Sequence, residues 1–312
     1  VANSDSGSEP DHRAEAGGES AEPAAESGAA GADQRFKLHK PNGEPVRTGR
    51  NLPVAIASGV ALGALVLLSL YPFPQAFALI TAAATLIGLR ELNRAVGGQG
   101  ARLALPPLAV GGVAMQFCAH FGGPDWLVGA TALTAIAALG WRLRGGAEGY
   151  VRDAAANLFT LCYLPFLLGT WQLLVADPDD GRARLIAFIV VTISSDIGGY
   201  FAGILLGKHK MAPVISPNKT WEGFAGSVLA CMIAGALTVS LMLGGPVWVG
   251  LVLGVAVVCA AILGDLIESL IKRDLGMKDM GRFMPGHGGL LDRVDSLLIA
   301  GPVAWVVLAL LL

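Results

Sequence analysis

From residue 52 onward the chain alternates long apolar runs with short polar connections. A helix needs about 20 apolar residues to cross the hydrocarbon core of a bilayer. Nine runs meet or approach that length: 52–71, 73–89, 104–121, 125–141, 154–176, 184–206, 223–243, 246–271 and 295–312. The runs at 73–89 and 104–121 are the softest, the first being short and the second carrying Pro106 and Pro107. The pattern predicts an all-α, polytopic integral membrane protein of about nine transmembrane helices, with eight or ten as neighbouring counts.

Composition agrees, since 54% of the 312 residues are hydrophobic and only 15% are charged, whereas a soluble domain is about a quarter charged. The basic residues test the count independently, because cytoplasmic loops collect Lys and Arg. With the N-terminus inside, the inward segments hold 20 of the 22 bases, and the outward loops keep only Arg182 and Arg184, beside Asp177, Asp179 and Asp180. Removing one span would scramble that alternation. The reading places the N-terminus in the cytoplasm and the C-terminus outside.

Residues 1–34 carry eight acids and one base, Arg13, among Ala, Gly, Ser and Pro. Such a segment buries too little apolar surface to offset its ordering entropy, and it lacks the hydrophobic stretch of a signal peptide. The expected organisation is a disordered acidic tail over 1–45, helices one to five over 46–176, and a catalytic part over 177–312 holding helices six to nine with their cytoplasmic loops. Cys118, Cys162, Cys231 and Cys259 all lie inside apolar runs without paired spacing, which marks them as packing residues.

Ionisable side chains inside a span are costly, at least ~2.5–3.5 kcal/mol at mid-bilayer, and point by default to function. The sixth run holds Ser194, Ser195 and Asp196; the eighth sets Asp265, Glu268 and Lys272 along one helical face. An intramembrane ion pair or a polar packing patch is the plain alternative, and Gly198, Gly199 and Gly203 are explained by close helix approach alone. Asp265 and Glu268 together ask for a cation.

Two inward loops carry the remaining chemistry. The first presents Ser216, Asn218, Lys219 and Thr220 around Pro217, a set of hydroxyls, amide and ammonium suited to phosphate oxygens; a basic loop drawn to anionic headgroups is the competing account. The second, 272–295, interleaves Lys272, Arg273, Lys278 and Arg293 with Asp274, Asp279, Asp292 and Asp295 and with five glycines, Gly288 and Gly289 among them. Glycines let backbone N–H groups approach an anion. Asp292 and Asp295, with Asp265 from the preceding helix, make a hard-oxygen set of the kind Mg²⁺ takes together with substrate phosphates. A helix N-cap is the alternative for Asp292. His287 could be a base, a phosphate donor or a turn residue. No zinc motif or Walker-type loop is present, and nothing calls for a nucleic-acid partner.

Ser269-x-Ile271-Lys272-Arg273-x4-Lys278-Asp279-x-Gly281-x3-Pro285-Gly286-His287-Gly288-Gly289-x2-Asp292-Arg293-x-Asp295 resembles the signature of phosphatidate cytidylyltransferases, also called CDP-diacylglycerol synthases. Ser216-Pro-Asn-Lys-Thr-x-Glu222-Gly223, and Asp196 followed by Tyr200, resemble other recurring segments of that family. The likeness covers residues 194–296; Met284 stands where an aliphatic residue or phenylalanine is more usual. The resemblance implies Mg²⁺-dependent transfer of a cytidylyl group from CTP to phosphatidic acid of the inner leaflet, by a multi-pass homodimer in a bacterial plasma membrane. It implies Asp265, Asp292 and Asp295 as metal ligands, with a second ion, Mg²⁺ or K⁺, left open. Lys272, Arg273, Lys278, His287 and Arg293 would be catalytic. Ser216, Asn218, Lys219, Thr220, Asp196, Gly288 and Gly289 would bind substrate. A CTP-dependent lipid-alcohol kinase is the nearest rival. An ion-coupled transporter is a more distant one, because transporters often pair broken helices across two halves.

Overall fold

The computed structural model describes residues 63–66, 68–70, 75–281 and 288–312. The acidic tail expected over 1–45 lies outside them. The described part is helical apart from one small ribbon. Its elements are α1 (Gln75–Gly97), α2 (Leu105–Arg142), α3 (Tyr150–Leu161), α4 (Leu167–Val175), α5 (Gly181–Leu206), strands β1 (Lys210–Ala212) and β2 (Ser216–Thr220), α6 (Trp221–Met242), α7 (Val247–Asp274) and α8 (Leu291–Leu311). A wide helical turn over Cys162–Phe166 joins α3 to α4 around Pro165, whose missing N–H breaks the regular ladder.

Seven helical runs among the described residues are long and apolar enough to cross a membrane. This makes the chain a multi-pass helical membrane protein, but it does not give nine spans. The difference has two sources. The run expected at 52–71 falls mostly outside the described residues, with 63–66 and 68–70 helical. The runs expected at 104–121 and 125–141 are joined in α2, where Gly123 takes φ 73° and ψ −161° and is followed by Pro124. Glycine tolerates that conformation, and proline then denies the next turn its N–H.

The two arms of α2 fold back on each other. A Cβ on Gly111 would collide with the side chain of Thr134, although in a straight helix those positions stand roughly 35 Å apart. Both ends of the hairpin therefore return to one side, where Asp153 receives them. Its carboxylate accepts the Arg102 N–H at 2.9 Å and pairs with the Arg142 guanidinium. Asn157 accepts from Ala104 N–H at 2.7 Å and donates to the Arg102 carbonyl at 3.1 Å. Two of the basic segments read as inward loops thus meet around one buried acid. At the opposite side Arg184 is neutralised by Asp177 at 3.2 Å and Asp180 at 2.6 Å.

Helices α5 to α8 pack through small residues, as expected where lipid removes any hydrophobic drive between helices. A Cβ on Gly198 would lie 2.6 Å from the Gly226 carbonyl oxygen, and one on Gly264 2.6 Å from that of Asp295. Gly235 and Gly250 are pressed backbone to backbone. Ser227 donates to the Ser195 carbonyl at 2.6 Å, and the Cys231 thiol to that of Val191 at 3.3 Å. All four cysteines are free thiols. Only Cys231 is buried, while Cys162 and Cys259 face outward rather than into the core.

Candidate active site

The loop after α5 forms a small ribbon of two strands. β1 and β2 pair antiparallel, with Lys210 opposite Thr220 and Ala212 opposite Ser216. The base of this ribbon is tied down by Glu222, in the first turn of α6. Its carboxylate accepts the backbone N–H of Lys208 at 3.1 Å and of His209 at 3.2 Å, and bonds the His209 ring at 2.6 Å. Thr220 caps α6, its hydroxyl oxygen accepting from Gly223 N–H at 3.1 Å. Cap and clamp together hold the ribbon over the ends of the helices.

Beneath the ribbon lies a cavity of about 630 Å³. Ser216, Asn218, Lys219 and Thr220 form its roof, and Asp196, Tyr200, Asp265 and Ser296 stand on its helical walls. The two segments singled out in the sequence, Ser216–Thr220 and the polar patch of α5, therefore face one space. Asp196 is one of the residues that line it. Lys219 reaches down to Asp265 at 2.5 Å, so the roof carries a cation to the acid on the wall.

Next to the cavity the acids converge. Among the described residues, oxygens of Asp265, Glu268 and Asp295 lie within 4.8 Å of one another, near enough to share one ion. Two of the three expected ligands, Asp265 and Asp295, are in this group. The third place is taken by Glu268, which is 0% exposed. Asp292 has other partners: one oxygen bonds Lys272 Nζ at 3.0 Å, and the other accepts the N–H groups of Met280 at 3.0 Å and Gly289 at 2.7 Å. Lys272 also pairs with Glu268. That ammonium links the three-acid group to Asp292. Nor is Asp292 the N-cap of α8, since that position is Leu290.

The remaining sites lie around this centre. Gly288 adopts φ 82°, and a Cβ there would come 2.8 Å from the Asp292 carboxylate. The glycine is thus required by both conformation and space. Arg273 and Lys278 are exposed at the end of α7 and in the loop after it, and Arg293 is half-buried in α8. His287, with the segment 282–287, lies outside the described residues. The sequence reading missed Glu91 near the end of α1. It is 4% exposed, and its carboxylate accepts the Leu290 and Leu291 N–H groups at 2.9 and 3.1 Å. The only trace in the sequence is an acid among the basic residues Arg90, Arg94 and Arg102 of an inward segment.

Taken together, these features define a polytopic membrane protein with a roofed polar cavity beside a carboxylate cluster. Residues 53–311 match the model of the cytidylyltransferase family. Over 284 residues the chain is 39% identical to the phosphatidate cytidylyltransferase of Mycobacterium leprae, a match covering 85% of this chain and 90% of that one. It is 38% identical over 301 residues to the phosphatidate cytidylyltransferase of Mycobacterium bovis, covering 92% and 96%. A shorter match, 40% over 152 residues, covers 49% of this chain and 55% of the enzyme of that name from Brucella suis. This chain belongs to the cytidylyltransferase family.

Proposed function

We propose that the chain transfers the cytidylyl group of CTP to phosphatidic acid. A phosphate oxygen of the lipid attacks the α-phosphorus of CTP. The bond from that phosphorus to the bridging oxygen breaks, pyrophosphate leaves, and CDP-diacylglycerol remains in the bilayer. A phosphate monoester is already anionic at neutral pH, so no general base is needed. The obstacle is charge, because two polyanions must meet.

The observation that carries this reading is the cavity itself, about 630 Å³ with Lys219, Ser216, Asn218 and Thr220 above and acids below. The ribbon supplies the cation and the polar groups that hold phosphate oxygens. Lys272 holds Glu268 and Asp292 in fixed positions from the α7 side. Asp265, Glu268 and Asp295 would hold Mg²⁺; three clustered carboxylates are the hard-oxygen donors this ion prefers. When bound, it neutralises phosphate charge and favours in-line displacement. In this assignment Asp292 serves the loop and Lys272 rather than the ion.

The same proposal includes nine crossings with the N-terminus in the cytoplasm, a homodimer, and a site that takes CTP from the cytosol and lipid from the inner leaflet. Purified protein in lipid nanodiscs, given phosphatidic acid, Mg²⁺ and CTP labelled at either the α- or the γ-phosphate, tests the reaction. The α-label should enter lipid and the γ-label should appear in pyrophosphate. Lipid carrying the γ-label would instead identify a kinase.

A further inference from the structure

We infer that Glu91 is a positioning residue for the active site, acting from the N-terminal half of the chain; this rests on the proposed reaction only for its turnover readout. The start of α8 needs help from elsewhere. Its first N–H groups have no partner within the helix, and Leu290 at the cap position has no side chain that could accept them. Glu91 supplies both acceptors from α1, one oxygen to each of Leu290 and Leu291. A carboxylate there also meets the positive end of the helix dipole.

The fit of the surrounding backbone is close. A Cβ on Gly289 would stand 2.7 Å from both oxygens of Glu91, and one on Gly281 would collide with the same carboxylate. Two glycines from the two ends of the 281–289 loop therefore form a slot for one acid. Asp292 closes that loop from the other side by accepting the Met280 and Gly289 N–H groups. Glu91 and Asp292 together fix where α8 begins. Asp295 lies one turn further on, so the place of α8 sets its distance from Asp265 and Glu268. Among the described residues Glu91 makes its hydrogen bonds to Leu290 and Leu291, not to the three acids in the cluster. Its effect runs through the backbone of residues 288–291.

The test compares the full chain in nanodiscs with Glu91→Ala and Glu91→Gln, by hydrogen exchange followed peptide by peptide and by steady-state kinetics. For Glu91→Ala, exchange over 288–296 should quicken about tenfold, the scale of a lost helix cap. Exchange over 102–157 should be unchanged. kcat should fall at least about tenfold while KM for CTP stays within about twofold, because the ribbon roof is untouched. Glu91→Gln keeps the size and one acceptor and should fall between wild type and Glu91→Ala in both readouts; it carries the test if the alanine variant does not fold. Unchanged exchange at 288–296 overturns the inference. So does faster exchange spread equally over 102–157, or a local quickening that leaves kcat intact. A wild-type chain inert toward CTP and phosphatidic acid refutes the proposed reaction, while the exchange comparison still decides the role of Glu91.

Discussion

Replacing Asp292 by alanine separates two roles that the sequence left merged. The side chain is 6% exposed and makes three bonds, to Lys272 Nζ, Met280 N–H and Gly289 N–H. Hydrogen bonds to a charged group contribute about 1.5–3 kcal/mol each, and their losses do not add. Lys272 keeps Glu268 as a partner, so no buried cation is orphaned. Removing one member of a buried pair costs about 3–5 kcal/mol, and the alanine variant should lose an amount near the lower end. For a protein of this size that is a fall in melting temperature of roughly 4–6 °C. Asp295 provides the contrast. Its one hydrogen bond given by the structure is from the adjacent Ser296 N–H, at 2.7 Å, and Asp265 and Glu268 crowd it with like charge. Asp295→Asn should therefore melt within about 2 °C of wild type, or above it, since relieving like charge stabilises. Both variants should lose turnover. Melting followed by intrinsic fluorescence in one detergent, beside the CTP assay, reads both quantities. An Asp292→Ala protein as stable as wild type, or an Asp295→Asn protein as weakened as Asp292→Ala, defeats the division of labour between the two aspartates.

Asp153→Ala strands the buried Arg142 guanidinium and should cost about 3–5 kcal/mol, seen as a large drop in melting temperature, whereas Arg142→Met with Asp153→Leu should recover much of it; no recovery in the double variant would count against the ion pair as the cause. Gly226→Leu drives a side chain into Ala202 and the Gly198 carbonyl, so the α5–α6 contact should open at a cost of about 1–3 kcal/mol or more, measured as faster thermal inactivation, and an unaffected half-life would refute the packing.

Several features were readable in advance because one side chain sufficed to show them. The basic loops revealed which segments share a side, and the structure gathers Arg102 and Arg142 on the one acid Asp153. Ser216, Asn218 and Lys219 stood out by residue type as groups suited to phosphate oxygens, and they line the cavity. What escaped was whatever depends on distant pairing. The spacing of Asp292 and Asp295 put both at the start of one helix, yet it could not show that Met280 and Gly289 occupy an oxygen of the first. Glu91 and Leu290 lie nearly two hundred positions apart, and no local pattern joins them. The antiparallel ribbon also hid, because five residues that include a proline show no strand pattern until their partner is known.

The doubled-back α2 constrains the order in which the protein can be built. Its two ends bring Arg102 and Arg142 to the same side, and the acid that receives both lies on α3, the next helix in the chain. Until Asp153 arrives, Arg142 has no buried partner and must stay at the watery rim of the bilayer. The hairpin is thus locked by a residue made after it, and a chain truncated before residue 153 should stay loosely seated in the membrane.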